Sequence, residues 1–573
     1  MKLFTRHSRT FMLLSLILAI LWTTAACSSG SNNKGNNTNS DTPAATNEGS
    51  SSTEPVDPIG KYEETVEYTT VRGINQDPKF PAGESYENNM FTKFQEEKLN
   101  VKEKIEWMAP TDGEQYANKL AISIASGDIP DVFTVEGSKR DALLKQLVEG
   151  DMIEDLTEVF EKYASPRLKE IYGALDNVSL KQVTYDGKIM AIPAQMDMSQ
   201  TNVVWVRQDW LEELKLPEPT SIENLRTVAK AFADKKGMGL SLRAAPDGVS
   251  SKSGDMQKFD AVFNYLGAYP SIWVKKEDGS IDWGGIQPQV KEGLKIAAEM
   301  YKNGELDKEF AIKDNGKTAE DIGANKTGLF FQPWWAPLWP MQNSVTNDPN
   351  AKWKAYGLAK DGVIHASIDT PATSYYVVRK GFKNPELIVK LINLNVDVKN
   401  GKYEELIDAR NTGLYKDATE KHPQFPGLGA GMTDHNTVVK TMTLFQQVLD
   451  GQADESTLNK EQKTIFDKIK SYEPLKDQAV AKDDVSNWQQ YTAWAVGLKP
   501  TIDNKEEIVF NAFPGTTPTM EKKWALLQDQ QKEAYIKIIM GDESLDYFDS
   551  FAAKWKSSGG DEITKEVNEA AKK

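Results

Sequence analysis

Near the start of the patterned part of the chain, the spacing of apolar residues changes repeatedly between that of strands and that of helices. Polar and apolar residues alternate over 67–71 and 101–108, and a short apolar run follows at 131–135. The segments between these runs, 86–99 and 116–124, place apolar residues at helical spacing. This order of strand, helix, strand, helix and strand predicts an α/β fold with a parallel sheet and helices on its faces.

The rest of the chain has mixed periodicity and ends mostly in helical patterns. Short apolar runs at 203–206 and 374–379 predict strands. Asn384 and Pro385 have the residue types that favour the cap and the first position of a helix. Helical spacing prevails in the last third, for example over 544–555. The chain has 573 residues, which exceeds what one core usually holds, so we expect more than one lobe.

The N-terminal residues carry the pattern of an export signal. Lys2, Arg6 and Arg9 precede an apolar run, Phe11–Trp22, and small residues then lead to Cys27. The run is shorter than the roughly 20 residues that a membrane-spanning helix needs. It therefore predicts a secretory signal that is cleaved next to the cysteine.

The composition after the signal sets further bounds. Cys27 is the only cysteine, so the exported protein is held together without disulfides. Residues 28–58 are almost free of apolar side chains, which predicts a disordered tether. The net charge of −16 disfavours nucleic acid and anionic headgroups as partners.

The motifs of common enzyme classes are absent from the sequence. Outside the predicted signal, histidine occurs only as His365, His422 and His435. There is no HExxH, no GxSxG, no phosphate-binding loop and no cysteine nucleophile in the predicted body of the protein. We therefore predict no catalysis, although two carboxyl groups from distant segments of an acidic chain leave glycoside hydrolysis open.

Two groups of aromatic residues are candidates for sugar binding. Trp334, Trp335 and Trp339 lie between three prolines, which indicates a loop or the start of a helix. A second group, which includes Trp488 and Trp494, has helical spacing. Indole rings stack on the apolar faces of sugars, but aromatic residues at helical spacing also commonly form core. The sequence leaves both interpretations open.

Polar residues follow two of the predicted strands. Arg72 ends the first, and Glu136 and Ser138 follow the third. Ligands of open α/β sheets bind beyond the carboxyl ends of strands. These side chains are therefore expected at a ligand cleft, although each one taken alone is better explained as a solvated polar group of a turn.

Four segments together resemble a known family. Residues 125–132 (ASGDIPDV) resemble its SGDxPD turn, 185–193 (YDGKIMAIP) its DGKxYAxP hairpin, and 205–211 (WVRQDWL) its xxRxDWL segment. The ending at 551–568 is similar to the closing helix of LplA-like lipoproteins of Gram-positive bacteria. The chain is thereby identified as a member of the bacterial extracellular solute-binding protein family 1.

The resemblance implies an α/β, two-lobed, maltose-binding-protein-like fold of the type II periplasmic-binding class, with a hinge. It implies an oligosaccharide held between the lobes, an ABC permease as partner and no enzymatic activity. The expected division is a signal peptide at 1–26, a tether at 27–60, lobe 1 at 61–200 plus 369–440, and lobe 2 at 201–368 plus 441–573. We expect a monomer, no cofactor and no metal.

The same resemblance suggests specific residues. Thr24–Cys27 resembles a bacterial lipobox, which implies acylation of Cys27, a palmitate-type lipid anchor and a place on the outer face of the cell membrane. The expected ligand-binding residues are Arg72, Glu136, Gln195, Asp197, Tyr269, Trp334, Trp335, Trp339 and Trp494. Many relatives carry a calcium loop where this chain has residues 233–239, and two lysines there predict no calcium.

Two other functions stay open on the sequence alone. A surface polysaccharide hydrolase or lyase would share the aromatic residues and would need a pair of acids around a bound sugar. A peptide-binding importer subunit would need an arginine or lysine free to pair with a peptide carboxylate.

Overall fold

The computed structural model describes residues 56–74, 83–111, 114–137, 139–251, 255–369, 371–403, 406 and 432–571. The predicted signal peptide, most of the tether, Cys27, Ser138 and His422 lie outside the described residues. Among the described residues, no helix combines the length and the apolar composition that crossing a membrane requires.

The strands are β1 (Val66–Ile74), β2 (Val101–Pro110), β3 (Val132–Val135), β4 (Thr184–Tyr185), β5 (Lys188–Ile189), β6 (Ile192–Gln195), β7 (Val203–Arg207), β8 (Trp273–Lys275), β9 (Ile281–Trp283), β10 (Leu329–Gln332), β11 (Trp353–Tyr356), β12 (Val363–Ile368), β13 (Ala372–Val378) and β14 (Lys505–Phe510).

The α-helices are α1 (Met90–Leu99), α2 (Gln115–Ser126), α3 (Arg140–Glu149), α4 (Thr157–Tyr163), α5 (Pro166–Gly173), α6 (Val178–Gln182), α7 (Gln208–Glu213), α8 (Ile222–Lys236), α9 (Asp260–Tyr265), α10 (Pro288–Lys302), α11 (Asn315–Gly323), α12 (Met341–Asn347), α13 (Leu387–Lys399), α14 (Thr437–Leu449), α15 (Lys460–Tyr472), α16 (Val485–Tyr491), α17 (Lys499–Asp503), α18 (Pro518–Met540), α19 (Tyr547–Trp555) and α20 (Asp561–Ala570).

The predicted order of elements at the start of the fold is confirmed. Strands β1, β2 and β3 alternate with α1 and α2, and β1 pairs with β2 in parallel. The side chain of Asn89 caps α1 by accepting hydrogen bonds from two backbone amides of its first turn. Gly127 ends α2 with a φ of +76°, a conformation that glycine adopts without strain.

The expectation that β3 continues this parallel sheet is wrong. Strand β3 joins a three-stranded sheet in the order β3-β13-β6, and β13 is antiparallel to both neighbours. The predicted strand at 374–379 is this β13, which returns to the sheet from far along the chain. The helix expected at Asn384 and Pro385 begins at Leu387, after those two residues form a turn.

The side chain of Asp131 links the strands of this region. Its Oδ2 accepts hydrogen bonds from the backbone and the hydroxyl of Thr69, on β1. Its Oδ1 accepts one from Arg379, just after β13, at 2.5 Å. Burial opposes ionisation of this carboxyl, but the bonds from Thr69 and Arg379 hold its pKa below the usual value.

A second sheet lies further along the chain. Strand β7 is central, with β10 and β11 antiparallel on its two sides, and all five residues of β7 are buried. Helices α8, α10 and α18 to α20 pack their apolar sides into the core around this sheet. The remaining parallel pair, β12 and β14, runs alongside α9.

The buried apolar side chains fall into two groups of clusters, which define the two lobes. The clusters of lobe 1 draw on residues 68–194 and 372–432. Those of lobe 2 draw on 203–358 and 442–567. The structure is therefore a two-lobed α/β fold.

In the part of the chain that the structure describes, three short segments pass between the lobes, and we call them the crossing segments: 196–202, the pair Asp369 and Pro371, and 433–436. They are hydrogen-bonded to one another. The amide of Met196 donates to the carbonyl of Pro371 at 3.2 Å, and the amide of Met198 donates to that of His435 at 2.7 Å.

Candidate functional site

The site is built where the strands of each lobe end next to the crossing segments. In lobe 1, β1, β3 and β6 end at this edge and β13 begins there, since Ala372 pairs with Gln195 and Tyr375 with Val135. In lobe 2, β7 begins at the edge, and Gln332 at the end of β10 pairs with its first residue. We call these the lobe 1 edge and the lobe 2 edge, and the space between them the cleft.

Arg72 stands at the lobe 1 edge in an ion pair. One of its guanidinium nitrogens lies 2.5 Å and 2.6 Å from the two carboxylate oxygens of Glu103, on the neighbouring strand β2. The two side chains are only 11% and 4% exposed. A charge-assisted contact of this kind fixes the arginine in one position and occupies its charge.

Glu136 follows β3 and packs against the backbone of β1. A Cβ added to Gly73 would lie 2.2 Å from its carboxyl oxygen Oε1, so a larger residue at position 73 would displace this carboxyl. Burial raises the pKa of Glu136. Among the described residues, no arginine, lysine or histidine forms an ion pair with this carboxyl.

A further group at the lobe 1 edge escaped the sequence analysis. The guanidinium of Arg140 lies 5.9 Å from the ring centroid of Tyr375, and the Tyr375 hydroxyl donates to Asp141. Neighbouring Asp141 and Tyr375 favour the charged form and raise the pKa of Arg140 against the effect of burial. No local pattern along the chain indicates this contact, because it depends on the pairing of β13 with β3.

Two predicted ligand-binding residues at the end of β6 make internal contacts. The buried Gln195 side chain accepts a hydrogen bond from Ser179 and donates one to the carbonyl of Ile171. The carboxylate of Asp197 accepts from the amides of Ser199 and Val438, both at 2.8 Å. Asp197 therefore links the first crossing segment to the helix that follows the third, and burial raises its pKa.

The lobe 2 edge carries the tryptophan loop between β10 and α12. The indole of Trp335 donates to Oε1 of Gln200, in the first crossing segment, at 3.0 Å. Trp335 is partly buried, so one part of its ring faces out of the core. The geometry places this indole beside the cleft.

The neighbouring Trp334 and the distant Trp494 lie in the core of lobe 2. Their exposed fractions are 9% and 8%, and their ring centroids are 5.1 Å apart in an edge-to-face contact. Phe445 packs on Trp494 from α14, at 5.5 Å. Of the two interpretations that the sequence left open, the structure favours core for this pair.

Trp339 and Tyr269 occupy separate places. Trp339 is 37% exposed and lines a groove between α11 and α12, together with residues such as Glu320 and Asn343. Tyr269 is partly buried, and burial together with the nearby Glu507 raises its pKa. The candidates that the structure brings to the two edges are thus Arg72, Glu136, Asp197 and Trp335.

A charged cluster, which the sequence analysis missed, continues the lobe 2 edge. The guanidinium of Arg243 is bonded to Asp255 and to Asp247, the latter at 3.1 Å. The fully buried ammonium of Lys258 donates to the same Asp247 at 2.6 Å. Burial opposes ionisation of Asp247, but Lys258 and Arg243 hold its pKa below the usual value.

A buried acid lies behind this cluster. Asn202 donates to Oδ2 of Asp260 at 2.9 Å, whereas Oδ1 has no hydrogen-bond partner. Burial raises the pKa of Asp260 to about 7. Within the part of the chain that the structure describes, no three acidic, histidine or cysteine side chains are grouped as metal ligands.

Residues 77–395 match the model of the bacterial extracellular solute-binding proteins. The chain belongs to this family. The resemblance noted in the four sequence motifs and the predicted fold class are thereby confirmed, and the protein is a solute-binding protein.

Relatives agree with this assignment. The chain is 22% identical over 474 residues to the polygalacturonan/rhamnogalacturonan-binding protein YtcQ of Bacillus subtilis, covering 79% of this chain and 83% of the relative. It is 22% identical over 483 residues to the lipoprotein LipO of the same organism, covering 82% and 87%.

A solved structure shows the same fold. The ABC-transporter substrate binding protein FusA of Streptococcus pneumoniae, in complex with kestose, superposes with a TM-score of 0.53. The match covers 89% of this chain and 99% of that one at 18% identity.

Proposed function

We propose that this protein is the lipid-anchored subunit of an ABC importer and captures an oligosaccharide in the cleft. The observation that carries the proposal is the placement of Trp335 and of Arg72 with Glu136 on the two edges that the crossing segments join. An indole offers a stacking face, and carboxyl and guanidinium groups bond sugar hydroxyls. Closure of the lobes about the crossing segments would enclose the sugar.

The names of the relatives support the proposal that the ligand is an oligosaccharide and that the partner is an ABC transporter. YtcQ is named for binding polysaccharides, and FusA is named as an ABC-transporter substrate binding protein and was solved with kestose. These ligands are those of the relatives.

A binding role without catalysis fits the site better than hydrolysis does. Two acidic residues of the edges are held in internal contacts, Glu103 by Arg72 and Asp197 by two backbone amides. Peptide capture is also disfavoured, because Arg72 and Arg243 already pair with carboxylates.

The proposed anchor is a lipid on Cys27, at the outer face of a single cell membrane. The lipobox-like sequence and the similarity to the lipoprotein LipO support it. Two acyl chains hold a protein on a membrane stably, whereas one chain binds marginally. We expect Cys27→Ala to move the protein from the membrane fraction into the medium, as measured by immunoblotting of both fractions. Retention of this variant in the membrane would contradict the anchor.

Ligand capture is tested by the melting temperature of the full chain with a panel of oligosaccharides and peptides. A ligand that binds the folded state raises stability by RT ln(1 + [L]/Kd), which reaches about 2.7 kcal/mol at 100 times Kd. We expect at least one oligosaccharide to raise the melting temperature and to be recovered unchanged. A shift with peptides alone would contradict the sugar, and cleavage of the sugar would contradict the binding role.

A further inference from the structure

The cations at the two edges already have carboxylate partners. Within the described ranges, each of the four cations that are buried or partly buried at the edges forms an ion pair. The pairs are Arg72 with Glu103, Arg140 with Asp141, Arg243 with Asp255, and Lys258 with Asp247. The exposed Lys139, next to the lobe 1 edge, donates to the side chain of Asn118 at 2.7 Å.

Besides Asp197, two carboxyl groups at the cleft have no such cation among the described residues. Glu136 packs on Gly73 at the lobe 1 edge and has no ion-pair partner in the part of the chain that is described. Glu506, on β14, faces the first crossing segment beside Thr201 and Asp197, and its Oε1 is buried without a hydrogen-bond partner. The described groups that line the cleft therefore carry an excess of carboxyl over basic side chains.

This excess of carboxyl groups determines whether the cleft can bind a charged or a neutral sugar. An anionic sugar loses its hydration on entering and finds each buried cation of the described edges already paired, so its charge stays uncompensated. It also meets the carboxyl of Glu136 as a like charge. A sugar hydroxyl, in contrast, donates a hydrogen bond to the same carboxyl.

We infer that the cleft takes an oligosaccharide without anionic groups and rejects uronates, and that Glu136 enforces the rejection. The inference rests on the proposed function, since it specifies the ligand of the same site. Specificity arises here from a repulsive element, in addition to any attractive contact.

The test compares neutral and acidic probes on the full chain by calorimetric titration. Neutral probes are fructo-, malto-, cello-, manno- and galacto-oligosaccharides, and the acidic probe is an oligogalacturonate of matched length. At pH 7.5 we expect the best neutral probe to bind at least tenfold more tightly than the oligogalacturonate. This measurement uses the unaltered chain, so it tests the preference for neutral sugars even if a variant fails to fold.

Substitution then assigns the role of Glu136. We expect Glu136→Gln, which keeps the shape and removes the charge, to raise the affinity for oligogalacturonate at least fivefold. The affinity for the neutral probe should fall, because a neutral amide accepts a sugar hydroxyl less strongly than a carboxylate does, so the two affinities change in opposite directions. Glu277→Gln removes the same charge from an exposed turn of lobe 2 and should change neither affinity.

Each contrary result has a distinct meaning. Oligogalacturonate binding as tightly as the best neutral sugar would overturn the inference and leave the proposed function intact. An equal loss of both probes in Glu136→Gln would overturn the role of this residue. A chain that binds no sugar of either kind would contradict the proposed function, and the inference would fall with it.

Discussion

The two edges of the cleft are built from different chemistry. The lobe 1 edge is fixed by charged contacts across strands, with Arg72 on Glu103 and a carboxyl packed on Gly73. The lobe 2 edge is fixed by indoles, of which Trp334 enters the core while the adjacent Trp335 reaches the first crossing segment. Charge therefore fixes the side chains of one edge, and burial of a neighbouring ring fixes those of the other.

The largest change in stability is expected from removing the buried indole of Trp334 at the lobe 2 edge. Trp334→Ala should lower the free energy of unfolding by about 3–5 kcal/mol, because it empties a space between Trp494 and the loop. Urea denaturation measures the change. A decrease in the free energy of unfolding of less than about 1 kcal/mol would contradict the burial of this ring in the core.

A somewhat smaller loss is expected at the lobe 1 edge. Glu103→Gln leaves the guanidinium of Arg72 buried beside a neutral amide and should cost about 3 kcal/mol. Glu106→Gln is the matched control on the same strand, where the side chain is exposed, and we expect no measurable change. Equal stability of both variants would contradict a structural ion pair at this edge.

The pH dependence of stability tests the buried acid of lobe 2. The pKa of Asp260 is about 7 in the fold, against 3.8 for an unperturbed aspartate, so the folded state binds the extra proton between these values. Stability therefore falls as pH rises through this window and levels off above pH 7, by roughly 2–3 kcal/mol between pH 5 and 7.

Asp260→Asn should remove this part of the dependence, as measured by urea denaturation at pH 5, 7 and 8. Asp542→Asn, at an exposed turn, is the control and should leave it in place. An Asp260→Asn profile as steep as that of the unaltered chain would exclude Asp260 as its source.

The smallest expected effect concerns binding alone. Trp335→Ala should lower sugar affinity about tenfold, or about 1.4 kcal/mol, and should destabilise the fold less than Trp334→Ala does. Trp339→Ala is a companion variant, and we expect a smaller loss of affinity because its ring faces the groove between α11 and α12. If Trp339→Ala lost more affinity than Trp335→Ala, the sugar would bind nearer to the groove between α11 and α12 than to the cleft edge.

Local pattern predicted much of the fold, and distant pairing accounts for what it missed. The elements from β1 to β3 follow from apolar spacing within a few residues, as does the helix stop at Gly127. The return of β13 between β3 and β6 does not, because no local spacing encodes a partner more than 150 residues away.

The site shows the same limit. The strand-end rule correctly brought Arg72 and Glu136 to one edge, since a strand end is a local feature. It did not distinguish Trp334 from Trp335, because only packing against α14 decides which ring of the pair is buried. The contact of Arg140 with Tyr375 and the cluster around Lys258 depend on tertiary contacts in the same way.

The three crossing segments have a mechanical consequence. Two lobes joined by a single linker can rotate about several axes. Three connections that are hydrogen-bonded to one another leave one low-energy rotation, about an axis through the connections. The carboxylate of Asp197 adds a link between the first connection and α14, the helix that follows the third connection. The lobes can then open and close along one path. The angle between the lobes alone would therefore report to a partner that contacts both lobes whether a ligand is bound.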